Sequence, residues 1–168
     1  PWRAGKLHMY EGGLRVPGGV RWPGVVAPGS RTDRITLSMD IFPTACAVAG
    51  LEPPDGIDGV SFLPVLRGDP DPHGERDLYF VRREGGGTQG GKTIEAFRRG
   101  RWKLVQDTAY TPLELYDLEA DPAERHDVAA QHPQVVTELA RALAVQVQRG
   151  GRVPWQRPEP ATAGSTVP

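Results

Sequence analysis

Several things are scarce in this chain of 168 residues, and each scarcity excludes something. There is one cysteine, Cys46, so no disulfide can form within the chain and no cysteine-based metal site can be built. No apolar run approaches the roughly 18–20 residues that a membrane span needs. Charge of one sign is not in excess: 20 basic residues face 21 acidic ones, for a net charge of -1. That balance speaks against a nucleic-acid footprint or a polybasic membrane patch. There is no P-loop, no dinucleotide fingerprint, no Gly-x-Ser-x-Gly elbow and no defensible Ser/His/Asp set. Internal repeats are missing too. The chain opens at Pro1 without an initiator methionine or a signal-peptide pattern, so it reads as the tail of a longer protein, and the compartment stays open.

What is present points to a turn-rich globular fold. Glycine (21) and proline (17) are both abundant, which predicts many turns and no long helical bundle. Hydrophobic content is 38% with a mean hydropathy of -0.43, in the range of soluble domains. Cys46 sits in the apolar run Pro43–Gly50 and reads as a buried structural thiol.

The densest cluster of chemistry-bearing residues lies at the start. Gly5-Lys6-Leu7-His8-Met9-Tyr10-Glu11-Gly12-Gly13-Leu14-Arg15-Val16-Pro17 combines a lysine, a histidine, a glutamate, an arginine and a glycine pair. An ammonium is a compact cation with three donors, suited to a tetrahedral anion. Lys6 is therefore the candidate oxyanion contact, although a single lysine taken alone reads as a solvated surface residue. His8 is a candidate acid/base group or ligand, but no metal-spaced partner stands near it. Glu11 and Arg15, four apart, read as a local ion pair that shapes the loop. Gly12-Gly13 reads as close packing or positive φ rather than a phosphate cradle.

Along the chain, residues 19–26 are Val- and Trp-rich and predict a short buried strand. Ile35–Leu37 reads as a strand or an extended connection. Asp40 is an expected N-cap, with Pro43 in the first turn, an apolar face of Ile41, Phe42, Ala45, Val48 and Ala49, and Gly50 as the stop. Residues 61–68 predict a helical turn ended by Gly68. Past the polar linker at 69–74, strands are expected over 77–82, 93–98, 101–106 and 114–118, with a hairpin signal at Arg99-Gly100. Gly85–Gly87 and Gly90-Gly91 read as a flexible loop. A helix over about 132–149 carries Val135, Val136, Leu139, Ala140, Leu143, Ala144 and Val147 on one stripe. Residues 154–168 read as a disordered tail. Asp55, Asp58, Asp69 and Asp71 lack EF-hand spacing and read as turn residues, as do Asp117, Asp121 and Glu124. Arg98, Arg99 and Arg101 read as charges on an exposed hairpin. His73, His126 and His132 carry no assigned role.

Taken in order, these pieces resemble the C-terminal part of a sulfatase of the arylsulfatase type, in the alkaline-phosphatase superfamily. The matching motifs are Gly5-Lys6 with Tyr10–Pro17, then Val20–Gly24, Met39–Thr44 with Ala49-Gly50, Asp58–Leu66, Gly100–Leu104, and Glu114–Leu118 with Asp121–Glu124. They cover roughly residues 3–147, and their order and spacing carry more than any one of them.

The resemblance implies an α/β fold whose C-terminal part is α+β. Residues 1–74 would be the end of a catalytic α/β domain with its large mixed sheet. Residues 75–150 would be a four-stranded antiparallel sheet packed by a long helix, and 151–168 a tail. It implies that Lys6 contacts the sulfate ester and that His8 touches substrate or leaving group. It also implies calcium and a formylglycine nucleophile, neither placed in these residues; Cys46 lacks the Cys/Ser-x-Pro-x-Arg context. The implied partner is a small-molecule or glycan sulfate ester, with no nucleic acid, no membrane span and an open oligomeric state. Rival readings are a phosphonate or phosphate esterase of the same superfamily, and a non-catalytic binding domain that kept the fold.

Overall fold

A computed structural model describes residues 2–83, 93–107 and 111–150. The glycine-rich segment 85–91 and the tail 154–168 lie outside the described residues. The chain divides into two compact units, Pro1–Arg15 with Asp77–Pro168, and Val16–Arg76.

The first unit is built on an antiparallel meander. Strands β1 (Leu78–Arg83), β2 (Thr93–Arg99), β3 (Trp102–Gln106) and β4 (Glu114–Asp117) pair in sequence order. All four fall within a residue or so of the expected spans. Arg99 pairs with Trp102 across a two-residue turn, and Gly100 takes φ 55 there. That left-handed backbone is open to glycine at little cost, which is why the turn falls at Arg99-Gly100.

Both faces of this sheet are covered. On one face, Phe97, Leu104 and Leu115 pack against Leu139 and Leu143 of the C-terminal helix Pro133–Gly150. Pro133 opens that helix, where a missing N–H costs nothing. On the other face, Ile94, Ala96, Val105 and Tyr116 form a core with Met9, Tyr10 and Leu118. The N-terminal segment thus lies on the sheet as its second cover. It contains a short helix, α1 (Glu11–Leu14).

The second unit contains a 3₁₀ turn (Ser38–Asp40), α2 (Ile41–Val48) and α3 (Leu63–Arg67). Gly68, at φ 89, caps α3 as expected, and Gly50 follows α2 at φ 70. Three expectations are corrected here. Residues 19–26 form turns, not a strand, and are half-buried or exposed. A strand is stable only when its backbone groups find a partner, and no neighbouring strand exists in this unit among the described residues. The face of α2 is also reversed: Ile41 is 62% and Phe42 54% exposed, while Pro43 and Thr44 are buried. Cys46, expected buried, is half-buried.

Asp40 does more than start a helix. Its carboxylate makes no cap bond to α2. It accepts instead from Leu37 N (2.8 Å), Val60 N (3.0 Å) and Arg76 Nη1 (2.9 Å), with Arg76 Nη2 on the second oxygen. The side chain is fully buried, so every lone pair must be met from within the protein. Gly59 lies so close that a Cβ would stand 2.1 Å from the Met39 carbonyl oxygen. Asp40 is therefore the pin of the second unit.

Candidate functional site

Residues 3–15 carry the chemistry singled out by the sequence, and the fold shows how they are held. The segment leaves the sheet face at Arg3, turns through Gly5–His8, and returns at Met9 and Tyr10 to α1. His8 N donates to Gly5 O at 3.1 Å and closes the turn. Ala4 has φ 56 and Leu7 φ 86. Non-glycine residues in this region are held there against a steric cost, and such positions concentrate at functional sites. Lys6 stands between the two. Its side chain is exposed, and it makes no hydrogen bond or ion pair among the described residues.

The glycine pair works by close approach. A Cβ on Gly12 would lie 2.4 Å from Arg3 O, and one on Gly13 would lie 2.0 Å from His8 O. Gly12 N donates to Arg3 O at 3.0 Å. The turn carrying Lys6 folds down onto the bare backbone of α1, so Gly12-Gly13 is a packing device, one of the two roles expected for it. Neither glycine takes a positive φ.

His8 is exposed and its ring stacks beside Tyr10, with centroids 6.5 Å apart at 29°. Tyr10 is fixed in turn, donating its hydroxyl to Glu114 Oε2 at 2.7 Å. Tyr116 donates to the same oxygen at 2.5 Å. Burial, then Glu114, pushes both phenols well above their ordinary value, so both are protonated donors at neutral pH. The Arg3 guanidinium lies 3.9 Å over the Tyr10 ring and donates to the Tyr116 hydroxyl and to Glu124 O (3.0 Å).

Beneath the loop lies a charge cluster that sequence reasoning missed. Lys103 on β3 is 0% exposed, Glu124 0% and Glu11 4%. Lys103 Nζ donates to Glu11 Oε1 at 2.8 Å. It stands 2.8 Å from Glu124 Oε1 as well, but off the line of a hydrogen bond, so that contact is chiefly coulombic. Glu11 N donates to Glu124 Oε2 at 2.6 Å. Arg15 and Arg98 each approach Glu11 Oε2 at 3.9 Å. The expected Glu11–Arg15 pair is there, but it is the outer edge of a buried network.

The other charged candidates are structural. Arg99 ties Asp77 to Glu138 of the C-terminal helix, and Arg101 holds Asp117. Asp121 accepts Arg125 N and His126 N, as turn aspartates do. Asp71 pairs with Arg34. Among the described residues no three His, Cys, Asp or Glu side chains gather as a metal site, and no helix is long and apolar enough to cross a membrane.

Residues 4–149 match the family described as "N-sulphoglucosamine sulphohydrolase, C-terminal". The chain is 32% identical over 158 residues to N-acetylgalactosamine-6-O-sulfatase of Bacteroides thetaiotaomicron, covering 84% of this chain and 29% of that protein. It is 31% identical over 172 residues to arylsulfatase A of Homo sapiens, covering 87% of this chain and 33% of that protein. Its fold matches the crystal structure of Ps i-CgsB in complex with k-i-k-neocarrahexaose, with a TM-score of 0.75 at 29% identity, over 87% of this chain and 32% of that one. The chain thus spans about a third of the length of the curated relatives it matches along most of its length.

Proposed function

The chain belongs to that sulfatase C-terminal family, and we propose from this membership that it forms one wall of a site that hydrolyses sulfate esters. Lys6 is the residue that faces the substrate. The observation that carries this reading is an ammonium with no partner among the described residues, set between two backbone positions held at positive φ. Among the described residues, the other basic side chains packed around this segment serve an internal carboxylate, carbonyl or ring. Arg3, Arg15, Arg98 and Lys103 are all engaged in this way. An unspent cation on a rigid mount suits the oxygens of a sulfate group, whose charge grows as the ester bond breaks. His8, two residues along and stacked on Tyr10, is placed by the same reading at the substrate or leaving group. The substrate class is a small-molecule or glycan sulfate ester.

Two groups that the family implies, calcium and formylglycine, do not fit the residues described. No cluster of His, Cys, Asp or Glu would hold the cation, and Cys46 lies within α2, followed by Ala47-Val48-Ala49. This reading assigns both to other residues of the protein and routes no step through them.

The test is Lys6→Ala in the full-length protein, assayed on an aryl sulfate and, in parallel, an aryl phosphonate. Loss of one oxyanion contact is worth about 10²–10³ in rate. A fall of that size in kcat/KM for the sulfate ester supports the reading. An unchanged kcat/KM removes Lys6 from the site. A larger rate on the phosphonate assigns the wall to a different tetrahedral anion.

A further inference from the structure

We propose that Glu124, with the buried Lys103, is a positioning residue that sets where Lys6 stands. The inference rests on the reading of Lys6 as a substrate contact. It comes from one geometric fact: Glu124 grips both ends of the segment that carries Lys6. Its backbone carbonyl accepts Arg3 Nη1 at 3.0 Å, and its carboxylate accepts Glu11 N at 2.6 Å. Lys6 lies between those two attachment points. Arg3 also hydrogen-bonds Tyr116, and Lys103 holds Glu11 and Glu124 side by side.

Three features set this arrangement apart from ordinary packing. Glu124 takes φ 54, a left-handed backbone that a glutamate adopts only against a steric cost. It is fully buried, as is Lys103. A buried ion pair is weak evidence for stability, because desolvation offsets its attraction; its best-attested use is to fix one arrangement against others. The arrangement fixed here is the path of residues 3–11. The contacts run through Arg3 and Glu11 and not through Lys6 itself, so the ammonium is left free while its mount is rigid. A functional group held by well-supported neighbours reacts in the right geometry, and a displacement of about 1 Å can cost about a hundredfold in rate.

The experiment is a double-mutant cycle on kcat/KM for an aryl sulfate, in the full-length protein, with Glu124→Gln and Lys6→Ala. Glutamine keeps the shape of Glu124. It cannot serve both neighbours, since the amide that would face Lys103 Nζ is itself a donor. Glu124→Gln is expected to lower kcat/KM about tenfold when Lys6 is present and less than about twofold when it is not, as coupled residues do. It should also reproduce the division between kcat and KM seen for Lys6→Ala. Equal losses in both backgrounds, or no loss with Lys6 present, overturn the proposal. If Glu124→Gln does not fold, Lys103→Arg replaces it in the same cycle, keeping the charge but not the geometry, and is read by the same two outcomes. A harmless Lys6→Ala brings down the substrate reading. A damaging Lys6→Ala with multiplying losses brings down the positioning role alone.

Discussion

Replacing Lys103 by methionine separates charge from packing at the centre of the buried network. Methionine preserves most of the apolar stem, so little of the effect comes from a cavity. What is lost is the cation between Glu11 and Glu124, whose oxygens both lie 2.8 Å from Nζ. Removing one member of a buried ion pair costs about 3–5 kcal/mol, because the partner charge is left without compensation. Glu11 keeps some relief from Arg15 and Arg98 at 3.9 Å. Glu124 keeps the Glu11 amide as a donor, but among the described residues no cation other than Lys103 is paired with its carboxylate. The larger share of the penalty therefore falls on Glu124. Native-state hydrogen exchange of β2 and β3 reads this locally, whatever the rest of the protein does. A loss of about 3–5 kcal/mol speeds exchange there by roughly two to four decades. The triple change Lys103→Met, Glu11→Gln, Glu124→Gln removes the charges together and should recover most of that protection, since neutral replacement of a whole buried pair is often tolerated. Less than one decade of change in Lys103→Met would refute the reading of the cluster as a buried ion network.

Two further outcomes follow from the local geometry. Gly13→Ala puts a methyl 2.0 Å from the His8 carbonyl oxygen and 2.7 Å from that of Gly5, and both are backbone atoms that cannot swing aside as a side chain would. The turn carrying Lys6 should lift from α1, at about 1–3 kcal/mol for overpacking. Faster exchange at residues 5–13 with β3 unaffected is expected, and wild-type exchange at the turn would contradict the close-packing role. For Asp40, burial alone would raise the carboxyl, but Arg76 and the amides of Leu37 and Val60 outweigh it and hold it below its ordinary 3.8. A carboxyl lowered in the folded state contributes stability above its unfolded value and loses that contribution as pH falls through the folded one. Amides of α2 should therefore lose protection below about pH 4, and Asp40→Asn should abolish that pH dependence; an identical acid profile in Asp40→Asn would show that another group governs it.

How much of this was legible depends on the range of the interactions. The C-terminal helix was plain because a one-sided stripe is a local pattern, and the meander because hairpin spacing and Arg99-Gly100 are local too. Residues 19–26 and the face of α2 misled, since Val, Trp, Ile and Phe signal a wish for burial without naming what supplies it. Lys6 was a candidate on its chemistry within the charged opening segment, but a single lysine also reads as a solvated surface residue, and it was the order of motifs around it that decided between the two. The Glu11–Lys103–Glu124 cluster joins positions 92 residues apart for one of its bonds, and no window along the chain contains it. Yet a signal for it existed. In β3 the side chains of Lys103, Leu104 and Val105 are buried in succession, pointing to alternate faces, and β2 places Ile94 and Ala96 opposite Phe97. Strands apolar on both sides need two covers, and the sequence offers one amphipathic helix after the sheet. Something else had to cover the second face, and a lysine on that face had to meet carboxylates there. The chemistry-rich segment around Lys6 contains such a carboxylate in Glu11. Followed through, a strand lysine with no route to water points to the loop that carries the candidate site.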